Sequence, residues 1–369
     1  MFANFQWGLL AACVVLFVPM GMAGLHLSRN KMLFFSGALF ITLAVGVHLT
    51  PYFPSFVDLV NSMQSVAFDA QDTFCLNFIN EILWDVRPVL SDKEKDGGSS
   101  WTYEKIWSWT KTENVARCGF EKFGKLDAGE LFNGSWVVVA GDSQARLLVQ
   151  SLLSLLLDEE RLSSTKTDLF KRHSDYETFI EETGLKLDFV WAPYVANLSD
   201  LVMGFHNNQS YPDVLVMGAA LWHMLHVSDP SDYRHSLQDL KNDVVSLAFS
   251  QQPGAEGATT GSVSIRSPHL IWMNTPVLIN SMLNNEEKKL KMNERLCHEY
   301  DKALQNSELL QKHGGPMFLL DVQSLTRNCG THCTLDGMHY DEVVYEAAVH
   351  IILNTLLIES HQKLGTPES

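Results

Sequence analysis

The stretch "SWVVVAGDSQARLLVQSLLSLLLD", Ser135 to Asp158, decides how this chain is read. A short apolar run of the buried-strand type ends in Gly141-Asp142-Ser143 and passes straight into a segment with helical apolar spacing. Gly141 permits a sharp turn without a Cβ penalty. The helix that follows points its unpaired N–H groups and positive dipole end toward any charge that develops on Ser143 or on a bound carbonyl. Two readings of Ser143 compete. It is a nucleophile presented between strand and helix, or it shares with Asp142 the role of helix cap, which Asp and Ser both favour.

The same rhythm continues downstream. "LKLDFVWAP", "PDVLVMGAA", "HLIWMNTPV" and "MFLLDVQS" are short apolar runs bounded by Gly, Pro, Asp or Asn. Helical spacing separates most of them, as in "SLQDLKNDVVSLAFSQ" and "EEKKLKMNERLCHEYDKALQNSELLQK". The chain closes with "HYDEVVYEAAVHIILNTLLIESHQ", where Val343, Val344, Ala347, Ile351 and Leu356 mark an apolar face. Strands alternating with helices predict an α/β domain over 135–369, three layers around a mostly parallel sheet. Ligands of such sheets gather beyond the carboxyl ends of the strands, where Ser143 would stand. "QQPGAEGATTGS" (Gln251 to Ser262) reads as a surface loop, and no internal repeat is present. Residues 58–134 read as an approach segment with a polar break, "SDKEKDGGSS".

The front of the chain is different. Met1 to Ser28 holds no charged side chain, and "FQWGLLAACVVLFVPMGMAG" is long enough to cross a bilayer, which takes about 20 apolar residues. A second uncharged run, "MLFFSGALFITLAVGVHLT", follows "SRNK". The first run lacks the basic start of a cleaved signal peptide and exceeds its apolar length. We read residues 1–57 as a membrane anchor, a helical hairpin over 6–26 and 32–50, with a single anchor as the alternative. Arg29 and Lys31 lie in the connecting loop and hold it in the cytosol, so both chain ends face the lumen or the outside.

Without those two cations the rest of the chain carries 25 basic against 43 acidic groups, a net charge of −18. That surface repels nucleic-acid phosphates, and nucleic-acid binding is excluded. Five of the six cysteines lie beyond the anchor. In "CGTHC" a metal loop with His332 competes with a local disulfide, and a lumenal location favours Cys329 with Cys333. Cys75 with Cys118 is the second pair by elimination, which leaves Cys297 odd. Sequons at Asn133, Asn197 and Asn208 are glycosylation acceptors on that side of the membrane.

A serine nucleophile needs a base and a group that orients it. "CTLDGMHYDEVVYEAAVH" offers Asp336 and His339 before the last helix, spaced so that the carboxylate reaches one imidazole nitrogen and leaves the other facing outward. The bland alternative is a turn at Asp336-Gly337 and a surface histidine. His223 and His226 sit three apart but have no acidic or cysteine partner near in sequence, so no metal site is expected. Trp136, Trp191 and Trp272 lie in apolar runs and read as core, whereas Trp222 is a candidate sugar platform. "NNEEKKLKMNER" reads as a solvated helix face.

Gly-Asp-Ser after the first core strand and Asp-x-x-His before the last helix follow the chain order of SGNH-type acyl esterases. "WVVVAGDSQARLL", "LDFVWAP", "PDVLVMGAALWHML" and "LDGMHYD" resemble successive blocks of the PC-esterase group, which includes the plant trichome-birefringence-like wall acetyltransferases. The apolar front, "TPYFP" and "LWHMLHV" extend the resemblance to a plant Golgi branch of that group needed for O-acetylation of wall polysaccharides. The resemblance implies Ser143 as nucleophile, His339 as base and Asp336 as its partner. It also implies an oxyanion site near Gly218, where the group often has Asn and this chain has only backbone to offer. Arg146 matches a frequently basic position, as an anchor for an acceptor or for the middle loop, unless it is a surface arginine.

The implied activity is transfer of acetyl groups to xyloglucan or xylan in the Golgi lumen, with no bound cofactor and with an acetyl donor of unknown identity. The implied partners are the membrane, the acceptor polysaccharide, and other wall acetyltransferases or a membrane protein that supplies acetyl. Acetylester hydrolysis, an acetyl shuttle and a non-catalytic glycan-binding scaffold are the rival readings.

Overall fold

A computed structural model of the chain describes residues 74–91, 100–249 and 268–359. Both expected membrane helices, most of the "SDKEKDGGSS" break and the "QQPGAEGATTGS" loop lie outside the described residues. Among the described residues no helix is long and apolar enough to cross a membrane.

The chain has an α/β fold. Its strands are β1 (Ile82–Ser91), β2 (Ser100–Trp109), β3 (Trp136–Gly141), β4 (Tyr176–Ile180), β5 (Leu185–Trp191), β6 (Val214–Gly218), β7 (His269–Met273) and β8 (Phe318–Leu320). Six of them form one sheet in the order β4-β5-β3-β6-β7-β8, parallel throughout except for antiparallel β4. The five runs quoted above each supply one parallel strand. The helices that frame the sheet are α1 (Ser143–Leu156), α2 (Val195–Asn208), α3 (Leu221–His226), α4 (Pro230–Phe249), α5 (Glu294–Gln305), α6 (Val322–Cys329) and α7 (Glu342–Glu359).

Both faces of the sheet are covered, so its central strands read as nearly continuous apolar runs. Val137 and Val139 enter the layer built by α1 and α7, while Val138 and Ala140 enter the layer built by α2, α4 and α5. β4 escaped the sequence reading because it is an edge strand, where Glu177 and Phe179 face solvent and the apolar signal is diluted.

The segment before β3 is part of this packing from Phe74 onward. β1 and β2 form an antiparallel hairpin, and Ile79, Ile82, Trp107 and Trp109 are buried in the α1–α7 layer. The Trp107 ring lies 5.3 Å from the His350 ring of α7, and its Nε1 donates to Glu346 at 3.2 Å. A Cys75–Cys118 disulfide ties the start of this segment to the helix after β2. Closing a loop of that length, 43 residues in separation, stabilises by about 4 kcal/mol in the chain-entropy account.

Covered by the sheet on one side and the hairpin on the other, α7 exceeds the single apolar face expected of it. Between Val344 and Leu356 every residue but Glu346 is buried.

Candidate active site

β3 occupies the middle of the sheet, with β5 on one side and β6 on the other. The chain therefore leaves β3 toward one half of the sheet and later returns to the other, which opens a crevice at the carboxyl end of β3. Gly141 ends the strand there. A Cβ on Gly141 would lie 2.4 Å from the Gly218 carbonyl oxygen, and a Cβ on Gly218 would lie 2.5 Å from that of Met273. Three neighbouring strand ends thus approach each other more closely than any side chain would allow.

Asp142 and Ser143 take different places at the start of α1. Asp142 is the cap, its carboxylate accepting the Gln144 N–H at 2.9 Å. Ser143 is the first helical residue, and its Oγ lies 2.8 Å from His339 Nε2. On the other side of the ring, His339 Nδ1 lies 2.7 Å from Asp336 Oδ2. The second carboxylate oxygen of Asp336 accepts the backbone N–H groups of Met338 and His339 at 2.9 and 2.7 Å. Burial pushes the Asp336 carboxyl up, but the hydrogen bonds from the His339 ring and from these two amides outweigh it and hold it below its ordinary value.

The loop that carries Asp336 and His339 is braced on all sides. Thr334 Oγ1 accepts the Gly337 N–H and donates to the His339 carbonyl, at 3.0 and 2.7 Å. Gly337 takes a left-handed φ of 74° with its carbonyl bound by the Ile279 N–H. Gln144, next to Ser143, donates to the Met338 carbonyl and accepts the Tyr345 hydroxyl, at 3.1 and 2.5 Å. From the hairpin, Tyr103 stacks on His332 at 4.0 Å and Lys105 pairs with Asp341.

Among proteins of known sequence, the chain is 56% identical over 363 residues to Protein ALTERED XYLOGLUCAN 9 of Arabidopsis thaliana, covering 97% of this chain and 98% of that one. The chain belongs to the ALTERED XYLOGLUCAN 9 family. No family profile matches it. Among solved structures it is similar to a catalytic mutant of Axe2, an acetylxylan esterase from Geobacillus stearothermophilus, at 12% identity and a TM-score of 0.34 over 67% of this chain and all of that one. It is also similar to LAE5, an alpha/beta hydrolase enzyme from the metagenome of Lake Arreo, at 17% identity and a TM-score of 0.33 over 63% of this chain and 98% of that one.

In this member of the ALTERED XYLOGLUCAN 9 family, the remaining candidates fall as follows. Arg146 is buried, not a surface arginine. Its guanidinium lies over the rings of Phe189 and Trp191, at 5.1 and 5.0 Å, and Nη2 donates to the Ser174 carbonyl at 3.4 Å. It anchors the loop before β4. Gly218 sits at the carboxyl end of β6 in register with Gly141. Trp222, on α3, is half-buried.

His223 does have an acidic partner, contrary to the sequence reading. The turn after α3 brings Asp232 within 2.8 Å of Nε2, while Tyr300 holds Nδ1 at 2.6 Å. Both ring nitrogens are thereby engaged. Cys329 is bonded to Cys333, and Cys297 is free with its thiol pushed up to about 12 by burial. Asn133, Asn197 and Asn208 are all exposed.

A small cavity beside the site has room for about one water, with Asp142, Gln144, Tyr233 and Asn274 among apolar residues such as Leu221 and Trp272 on its wall. Burial raises the Asp142 carboxyl to about 6. Sequence reasoning named Trp222 but missed Gln144, Thr334 and the other rings gathered near Trp191, His173 and Tyr194. Thr334 is recoverable from its place just before the Asp-Gly turn, but Gln144 acquires its role only from Met338 and Tyr345, far along the chain.

Proposed function

We propose that this chain is an O-acetyltransferase of plant cell-wall polysaccharides, anchored in the Golgi membrane with its α/β domain in the lumen, and that it works through an acetyl-Ser143 intermediate. The observation that carries this reading is the continuous hydrogen-bonded series Ser143–His339–Asp336 at the carboxyl end of the central strand. The name of the Arabidopsis relative supports a xyloglucan acceptor, and the two uncharged runs within residues 1–57 support the anchor.

In the first half-reaction His339 Nε2 takes the Ser143 proton as Oγ attacks the acetyl carbonyl of an activated ester or thioester. The new Oγ–C bond forms, the donor's leaving atom departs, and His339 returns the proton to it. Asp336 keeps Nδ1 protonated and stabilises the imidazolium that forms between these steps. The Ser143 N–H, which has no partner four residues back within α1, and backbone near Gly218 would hold the oxyanion. In the second half a sugar hydroxyl gives its proton to His339 and attacks the acetyl carbon, the Oγ–C bond breaks, and His339 returns the proton to Ser143 Oγ. Hydrolysis is the second reading, and the His339 side chain, 35% exposed, favours it because water can reach the base.

The test uses the full chain in detergent, exposed briefly to an activated acetyl ester and weighed intact. We expect a gain of one acetyl that Ser143→Ala abolishes. Added wall oligosaccharide should then discharge the adduct to acetylated sugar. Discharge to free acetate alone, indifferent to sugar, would establish the hydrolase, and the absence of any adduct in folded protein would leave a scaffold.

A further inference from the structure

Around the carboxyl end of β5, five aromatic side chains from three separate parts of the chain meet. His173 stacks on Trp191 at 4.8 Å and meets Trp222 edge-on at 5.0 Å. Trp191 and Trp222 stand edge to face at 5.6 Å, and Tyr194 and His226 approach Trp222 at 6.3 and 5.2 Å. They are not core. His173 and His226 are exposed, and Trp191, Trp222 and Tyr194 are only half-buried. Leaving such large rings partly in water forgoes burial worth on the order of 1–3 kcal/mol each, so their assembly at one place calls for an occupant.

The cluster is built rather than incidental. Arg146 lies against the Trp191 ring, with its Nε buried and unpartnered, and reaches the Ser174 carbonyl. The Asp175 carboxylate accepts the Trp191 N–H at 2.7 Å. Directly before these two ties His173 is held at a left-handed φ of 52°, a conformation that costs a non-glycine residue about 1–2 kcal/mol. Strain of this kind persists where the surroundings fix a residue for a purpose. The cluster also adjoins the nucleophile. Trp191 is the ladder partner of Gly141, and the next N–H, that of Ala192, donates to the Gly141 carbonyl at 2.9 Å. Ser143 follows two residues later.

The chemistry of the rings selects the ligand. A neutral pyranose carries a patch of C–H bonds of slight positive charge on one face and hydroxyls around its rim. Tryptophan offers that patch a flat, electron-rich face, and the two imidazoles and the tyrosine hydroxyl supply donors and acceptors for the rim. The strongly acidic chain discourages a polyanion in the same place.

We propose that His173, Trp191 and Trp222, flanked by Tyr194 and His226, form a carbohydrate-binding shelf that seats a neutral stretch of the acceptor polysaccharide beside Ser143, with Arg146 as the residue that positions it. The proposal rests on the transferase reading for its acceptor, but binding can be measured without chemistry. The full chain carrying Ser143→Ala is titrated with unacetylated xyloglucan oligosaccharide, with binding followed by tryptophan fluorescence and calorimetry. Adding Trp222→Leu or His173→Ala should weaken binding by about tenfold or more, as loss of an anchoring ring does at other interfaces. Trp222→Phe, which keeps a flat ring, should restore most of it, whereas a purely structural role would rank Leu and Phe alike. Arg146→Gln should weaken binding without abolishing it.

Binding that ignores His173 and Trp222, or no binding by protein with unchanged thermal stability, overturns the shelf. Ring-dependent binding in a chain whose parent forms no acetyl-serine keeps the shelf and overturns the transferase. Normal acetyl-serine formation with ring-independent binding does the reverse.

Discussion

Ser143 Oγ and His339 Nε2 stand 2.8 Å apart although 196 residues separate them in the chain. The contact exists because Ser143 opens α1 at the end of the central strand while His339 precedes α7, and α1 and α7 pack side by side on one face of the sheet. Asp142 takes the capping duty and so leaves Ser143 Oγ to the histidine.

Asp336 serves two ends at once, one carboxylate oxygen on the imidazole and the other on two backbone amides. Asp336→Asn can keep the amide contacts through its carbonyl oxygen but presents an NH2 group to Nδ1, which favours the wrong tautomer. We expect the rate of acetyl-Ser143 formation to fall roughly 10⁴-fold with little change in melting temperature. A fall of less than tenfold would reduce Asp336 to a loop support.

Gly218→Ala places a Cβ 2.5 Å from the Met273 carbonyl oxygen in a region with no flexible neighbour to yield. A loss of about 1–3 kcal/mol in stability is expected, together with reduced activity, because the same strand end flanks Gly141. Gly204→Ala is the control. It sits within α2 with open space where the Cβ would go, and should stabilise by about 0.5–1 kcal/mol. Equal melting temperatures for the two variants would contradict the close approach of β6 and β7.

Asp142 and His350 make stability respond to pH in opposite senses. Burial raises Asp142 from 3.8 to about 6, so the folded state holds its proton more tightly, and stability is lost as pH rises across that window. Burial among Trp107, Phe123 and α7 lowers His350 from 6.5 to about 4, and its Nδ1 accepts the Phe123 N–H. That contribution is complete above 6.5 and is lost as pH falls toward 4. Each amounts to something on the order of 3 kcal/mol at full extent, so the two largely offset each other. Asp142→Asn keeps a capping side chain and should raise the melting temperature at pH 7 but not at pH 4. His350→Gln should remove the acid-side loss. Parallel melting curves against pH for parent and variants would refute both assignments.

The strand–turn–helix at 136–156, the five parallel strands and the Asp-x-x-His spacing were written in the sequence, because apolar periodicity, glycine turns and short-range carboxylate–imidazole contacts are local properties. The cysteine pairs were within reach of counting and compartment. Other features had no local trace. Trp191 lies in an apolar run and reads as core, yet its place at a strand end leaves its ring half-open beside Trp222 and His173. The hairpin of β1 and β2 falls where the sequence reads only as an approach segment, and packing against α7 is what brings it into the core and against the loop of His339. Local pattern chose the elements. Which faces met was decided by non-local burial, since a side chain's partner across a sheet or helix pair can lie anywhere in the chain, and that meeting is what joined a serine to a histidine.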